Sequence, residues 1–292
     1  MPWQLAITIS TLAITATSLI KRHHSQKSLA PASFPPAISF VLGVAPLGII
    51  AGLFLPHHVH WTGWLVLLLI IIASATAIGN WLAFLAVKQL SATRFTLIAR
   101  AQSIMIIAMG WLILDERLNI HELIGAIFLI TAAVLAIAAP EKLHKSKQIL
   151  HSRAIILALV ACFFGAVGLV TEKAALGHLE IGAYLMFGYP IQSAGIALLA
   201  LKDVNKSSLR NLTKTEIKWS SLMGLANGFG GVFYVAALVG SNNISLITAI
   251  GAIGLPLLAL GARIILKEKE NQKLLWASLT LGFIGLLIGA MR

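Results

Sequence analysis

Residues 64–87 read WLVLLLIIIASATAIGNWLAFLAV, an uncharged run that ends at Lys88. A bilayer core roughly 30 Å thick is crossed by about 20 helical residues, and an unpaired backbone group in hydrocarbon costs several kcal/mol. Trp64–Val87 therefore reads as a transmembrane helix. Nine further stretches match it: Trp3–Ile20, Phe34–Leu55, Phe95–Leu114, Leu123–Ala139, Ala154–Thr171, Ile181–Leu201, Trp219–Val239, Ile244–Leu266 and Leu274–Met291. The expected fold is an all-α membrane protein of ten transmembrane helices.

Composition agrees. Of 292 residues, 58% are hydrophobic and 11% charged, with a mean hydropathy of +0.90. A water-soluble domain is about a quarter charged, so lipid is the solvent for most of this surface. The single cysteine, Cys162, sits in an apolar run and reads as packing, without disulfide or Cys-based metal site. The first stretch has no positive segment before it and reads as a retained helix, not a signal peptide.

The net charge of +12 raises the question of nucleic acid, but its distribution answers differently. All the Lys and Arg residues except four fall in alternate connections, such as Lys21, Arg22 and Lys27, then Lys88 and Arg94, then Lys202 to Lys218. The exceptions are Arg117, Lys173, Arg292 and the intramembrane Arg100. Cytoplasmic loops collect such charge, so an inner- or plasma-membrane protein with both termini outside is expected, and no nucleic acid partner.

A shift of 152 positions aligns Ile113-Leu-Asp-Glu-Arg-Leu-Asn119 with Ile265-Leu-Lys-Glu-Lys-Glu-Asn271. The same register pairs Lys21 with Lys173, Gly43 with Gly195 and Thr96 with Thr248. Five spans per half is an odd number, so the second half enters the membrane in the opposite sense. The chain divides into a first repeat over residues 1–140, a basic cytoplasmic linker over 141–153 and a second repeat over 154–292. Inverted repeats suit a midplane site that opens to either side in turn.

Here the sequence resembles the drug/metabolite transporter superfamily, and within it the ten-helix EamA-type members. The residues that carry the resemblance are Pro256 to Glu268 followed by Leu274–Gly289, and Trp111–Glu116 followed by Leu123–Ala126. The resemblance implies ten helices around a central cavity and secondary transport of small metabolites, often outward. The first half has Ile104 where the second has Pro256.

Arg100 is the one ionisable residue well inside a span, and such residues are expensive enough to need a reason. It is a candidate for receiving a carboxylate or phosphate; the alternative is a side chain snorkelling to the cytoplasmic interface. The ten acids fall at helix ends or in loops. Small multidrug exporters of the superfamily use a glutamate in the first helix, which Trp3–Ile20 lacks. That favours a neutral, zwitterionic or anionic cargo, amino-acid-like for example. Glu172 is the remaining candidate proton carrier, against the plainer reading of an interfacial carboxylate beside Lys173.

The hydroxyls of Thr8, Thr11, Thr15 and Ser18 share one face of the first span and either line a wet cavity or bond the backbone one turn back. Gln192 with Tyr189, Asn227 with Tyr234, and Gln102 lie near the midplane, where an unpaired amide is costly. These, with Thr11, Thr15, Asn80 and Trp81, are the substrate-binding candidates, and interhelical hydrogen bonding is the alternative. Gly228 and Pro256 are hinge candidates. His57-His58-Val59-His60 lacks Cys or spaced carboxylates and reads as loop. No HExxH or nucleophile–base set is visible, so neither enzyme chemistry, cofactor nor bound metal is expected. The expected partners are the bilayer, a small-molecule cargo and a proton or other coupling ion, with a monomer sufficient. The competing readings are a multidrug or metal-ion exporter of the same fold, and a scaffold or sensor that moves nothing.

Overall fold

The computed structural model describes residues 1–90, 95, 98, 99, 101–115, 120, 121, 123–125, 127, 128, 131, 145–205, 212–241, 243–251, 254–265 and 272–290. The described residues form helices and no strand. They are α1 (Trp3–Lys27), α2 (Phe34–Leu53), α3 (Gly63–Gln89), α4 (Ala101–Leu114), α5 (Lys145–Ala175), α6 (Ile181–Leu201), α7 (Lys214–Ser241), α8 (Ile244–Gly251), α9 (Gly254–Ile265) and α10 (Gln272–Ala290). Six of these, α1, α2, α3, α5, α6 and α7, are long and apolar enough to cross a membrane. Their outer faces carry the apolar side chains that water would not tolerate, among them Ile70, Ile156 and Leu198, each more than half exposed.

Local chemistry sets the ends and the bends. Thr62 caps α3 by accepting a hydrogen bond from Leu65 N–H, and Thr213 does the same for Glu216 N–H at the start of α7. Two helices are interrupted by a single π-turn, α2 at Phe40–Val44 and α6 at Tyr184–Gly188. Each π-turn ends two residues before a proline, Pro46 or Pro190. Proline has no N–H and its ring crowds the carbonyl four residues back, so the chain absorbs one extra residue before it. The expected linker over 141–153 is in part helical, because α5 starts at Lys145 and runs unbroken into the span.

Packing follows an exchange pattern. α3 lies along α5, and α1 along α7; α2 crosses α7, and α6 crosses α3. The tightest crossing has glycine on both sides. A Cβ on Gly224 of α7 would stand 2.0 Å from Ser39 O, and one on Gly43 of α2 would stand 2.2 Å from Gly224 C. At the matching crossing, a Cβ on Gly195 of α6 would lie 3.0 Å from Ala73 O of α3. Small residues are what lets helix backbones approach where lipid supplies no hydrophobic drive.

The α1–α2 connection, the last turn of α3 and the residues just after α6 meet at one end of the bundle, where Lys88 Nζ donates to Ser28 O and Ala30 O, and Ser33 donates to Asp203. The α2–α3 and α5–α6 connections meet at the other end. There Val59 and Leu179 form an antiparallel bridge, Gly182 N–H donates to Pro56 O and His58 N–H donates to Glu180 Oε2. Among the described residues Lys27, Lys88 and Lys202 thus share the first end, the basic end.

Candidate functional site

Among the helices lies a cavity of about 370 Å³. Lys21, Arg22 and Val87 line it toward the basic end, and Glu172 and Gln192 line it deeper in the bundle. Its size is at the low end of the range for small-molecule sites, roughly 300–1,000 Å³.

One wall is a directed chain of hydrogen bonds. Thr76 Oγ1 of α3 donates to Gln192 Oε1 of α6 at 3.3 Å, and Gln192 Nε2 donates to the Tyr184 hydroxyl at 2.9 Å. Tyr184 in turn is hydrogen-bonded to the Glu172 carboxylate of α5. Each donor points toward Glu172, which is the terminal acceptor, and the chain ties three helices together. Tyr184 is fully buried and Glu172 is 7% exposed, so neither can exchange this partner for bulk water. The π-turn places the Tyr184 ring, and π-turns recur at functional sites because they re-aim a side chain without breaking the helix.

Several sequence-derived candidates meet here. Gln102, Asn227, Gln192, Asn80 and Glu172 all line the cavity. Asn80 Nδ2 donates to Thr76 O, and the Gln102 amide rests on Gly165, where a Cβ would come within 2.8 Å of it. Ser18 lines the cavity as well, as do Thr17 and Cys162, the last read from sequence as packing alone.

Others stand elsewhere. Thr11 and Thr15 donate to Ile7 O and Thr11 O at 2.7 Å, and both pack on Gly254 of α9. Those two hydroxyls follow the backbone-bonding alternative, because threonine reaches the carbonyl one turn back in the same helix. Tyr189 is buried edge-to-face on Tyr184 and against Gly231, outside the cavity wall. Tyr234 is half-buried in the apolar core around Val235 and Leu238. The Trp81 ring carries Lys202 Nζ at 3.7 Å from its centroid, a cation–π contact outside the wall. Gly228 lets α7 lie on α2, since a Cβ there would come within 3.0 Å of Val44 Cα. Pro256 lies in α9. Arg100 lies outside the described residues.

Glu172 corrects the plainer sequence expectation. It is no solvated interfacial carboxylate beside Lys173; α6 folds back over the end of α5 and buries it against Tyr184. Sequence reasoning passed over Tyr184 and Thr76. With three tyrosines in the chain, one of them six residues before an in-span proline, a signal for Tyr184 was present. Thr76 had none.

A multi-helix bundle with an apolar exterior and a polar internal cavity defines an integral, multi-pass membrane protein of the transporter class. Residues 2–138 match the EamA-like transporter family, a likeness that supports membership of the drug/metabolite transporter superfamily. No curated protein matches the sequence. Among the solved structures, one crystal structure, titled only as that of a protein, aligns at a TM-score of 0.67 with 16% identity. The alignment covers 98% of this chain and 95% of the other, so the likeness of fold extends through both halves.

Proposed function

We propose that the chain is a secondary transporter of ten transmembrane helices in two inverted five-helix halves. In this reading it moves a small neutral, zwitterionic or anionic metabolite by alternating access, in the export direction. The observation that carries the reading is the internal cavity lined by Thr76, Gln192 and Glu172, which the buried Tyr184 joins behind the wall into one hydrogen-bonded chain. A buried polar chain beside an unfilled space gives a cargo donors and acceptors to bond in place of water.

The inverted arrangement draws support from packing. Exchanging the halves turns the α3–α5 contact into α7–α1, and the α2–α7 crossing into α6–α3. Gly43 and Gly195, paired by the 152-position shift, occupy those two crossings. With both termini outside, the basic end is cytoplasmic. Glu172 is the proton-coupling group, and Gln192, Gln102, Asn227 and Asn80 are the cargo contacts.

A second reading rests on the same carboxylate. A buried Glu172 in the cavity removes the sequence argument against cations and supports exchange of a cationic compound for protons.

Purified protein in liposomes, assayed for counterflow with amino acids, sugars, nucleosides, organic acids and a lipophilic cation, tests both. Movement of a neutral, zwitterionic or anionic solute supports the first reading, and movement of the cation alone supports the second. If no solute moves and none raises the melting temperature, the carrier reading is wrong.

A further inference from the structure

At the basic end, beyond the cavity, a buried imidazole–carboxylate contact joins α1 to α7. His24 Nε2 lies 3.0 Å from Glu216 Oε2, and the two side chains are 3% and 9% exposed. Glu216 is the third residue after Thr213, which caps its N–H as in a capping box. Its carboxylate does not turn back to the cap. It crosses to the α1–α2 connection instead, accepting from Ser28 Oγ at 3.1 Å and from Leu29 N–H at 3.2 Å. Ser220 Oγ stands 3.2 Å from the same imidazole nitrogen. The other charged or titratable groups around His24 are His23 of α1, tilted on Trp219, and Lys88 of α3, held by Ser28 O and Ala30 O.

The opposite end has a counterpart without the charge. Thr62 caps α3 through Leu65 N–H in the same way that Thr213 caps α7 through Glu216 N–H. Aligning the two threonines, a shift of 151 and so one residue off the 152-position register, puts Leu65 opposite Glu216, Ala175 opposite His24 and Leu179 opposite Ser28. Leu65 and Ala175 are fully buried and Leu179 is 4% exposed, all within one apolar cluster. At the level of these residues hydrocarbon closes one end and the His24–Glu216 cluster closes the other, while Glu180 holds His58 N–H in the connections beyond the apolar residues.

We propose that the His24–Glu216 cluster is a pH-dependent latch that holds α1 against α7 at the basic end and limits how far the cavity opens there. The proposal rests on the alternating-access reading, in which like contacts at the two ends break in turn. α1 carries Lys21 and Arg22 of the cavity wall, and α7 carries Met223 and Asn227, so parting these helices widens the cavity. A proton on Glu216 Oε2 turns the oxygen that Ser28 Oγ and His24 Nε2 share into a donor and weakens both contacts, while Oε1 still accepts from Leu29 N–H. Loss of the His24 proton weakens the pair while a neutral Nε2–H still donates. Acid therefore releases the basic end, while the apolar seal of Leu65, Ala175 and Leu179 carries no charge to titrate.

Cys162, the single cysteine, lines the cavity and reports its opening. The experiment measures alkylation of Cys162 by N-ethylmaleimide in nanodisc-embedded full-length protein across pH, for wild type and Glu216→Gln. The ratio of the two rates cancels the thiol's own ionisation. Near neutral pH, Glu216→Gln is expected to react roughly tenfold faster, the size of one charge-assisted hydrogen bond, with the ratio falling toward one in acid. His24→Ala with Glu216→Leu copies the residues of the other end and keeps a filled interface if Glu216→Gln fails to fold. Its rate relative to wild type is expected to show the same pH dependence. Equal rates, or a ratio that does not change with pH, overturn the latch. Solute counterflow measured alongside separates the two ideas: counterflow with equal alkylation sinks the latch alone, whereas the expected alkylation pattern without any counterflow sinks the carrier reading.

Discussion

Replacing Gly224 by alanine tests the helix packing at its tightest point. The added Cβ would lie 2.0 Å from Ser39 O, 2.7 Å from Ser39 C and 2.9 Å from Ser39 Cα. These are backbone atoms of α2, which cannot swing aside as a side chain can. Ordinary contact begins near 3.4 Å, so α7 must retreat from α2 by about 1.4 Å at the crossing. A gap of even 0.5–1 Å forfeits roughly a quarter to a half of each local dispersion contact, and overpacking of this kind typically costs 1–3 kcal/mol or more. We expect about 3 kcal/mol, a fall in melting temperature of roughly 6–12 °C at 2–4 °C per kcal/mol. Gly195→Ala, facing Ala73 O at 3.0 Å, should cost less. Gly168→Ala is the control, because its Cβ meets nothing closer than Thr76 Oγ1 at 3.7 Å. Helix propensity then favours alanine by up to about 1 kcal/mol, so the control melts at or above the wild-type temperature. Thermal unfolding followed by circular dichroism in one detergent ranks the three. If Gly224→Ala melts like wild type, or all three fall equally, the close approach of α2 and α7 is wrong.

Gln192→Leu keeps the volume but breaks the chain between Thr76 and Tyr184, so counterflow of the identified cargo should fall roughly five- to hundredfold, at about 1–3 kcal/mol for a stranded buried partner; unchanged counterflow removes Gln192 from the site. Glu172→Gln should abolish uptake driven by a pH gradient while leaving exchange of labelled for unlabelled cargo, and gradient-driven uptake that survives the substitution assigns proton coupling to another group. Thr62→Ala removes the acceptor for Leu65 N–H and should cost about 1 kcal/mol of stability with no effect on cargo affinity, read as a melting shift beside an unchanged binding curve.

How far the sequence foretells this structure depends on what each feature answers to. The span Ile181–Leu201 agrees to the residue, because an apolar run in lipid must close its own backbone hydrogen bonds. α5 instead begins at Lys145, well before the apolar run at Ala154, since a helix continues into water wherever its hydrogen bonds do. The in-span amides Gln192, Asn227, Asn80 and Gln102 were legible as cavity residues, because hydrocarbon leaves an amide few other places. Thr11 and Thr15 were not, since a threonine satisfies itself within one helix and spacing does not say which neighbour covers the stripe. Glu172 and Glu216 both sit near helix ends, where hydropathy reads an interfacial acid. Their burial comes from α6 folding over one and the α1–α2 connection over the other, contacts that link positions far apart in the chain.

Those two buried acids also change what the cavity asks of a cargo. Lys21 and Arg22 stand toward the basic end of the wall and Glu172 stands deeper, at the end of the polar chain. An anion is drawn in by the first pair, yet in its low-dielectric surroundings it meets a like charge at Glu172 unless that group is protonated. A cation meets the reverse order, screened at the mouth and stabilised within. Under the proposed carrier reading an anion would enter together with a proton on Glu172, a cation would exchange for that proton, and a net-neutral or zwitterionic solute would cross both regions without either condition. In that reading the charge of the cargo would be decided at Glu172 more than at the basic mouth, where water screens Lys21 and Arg22 whenever the cavity opens.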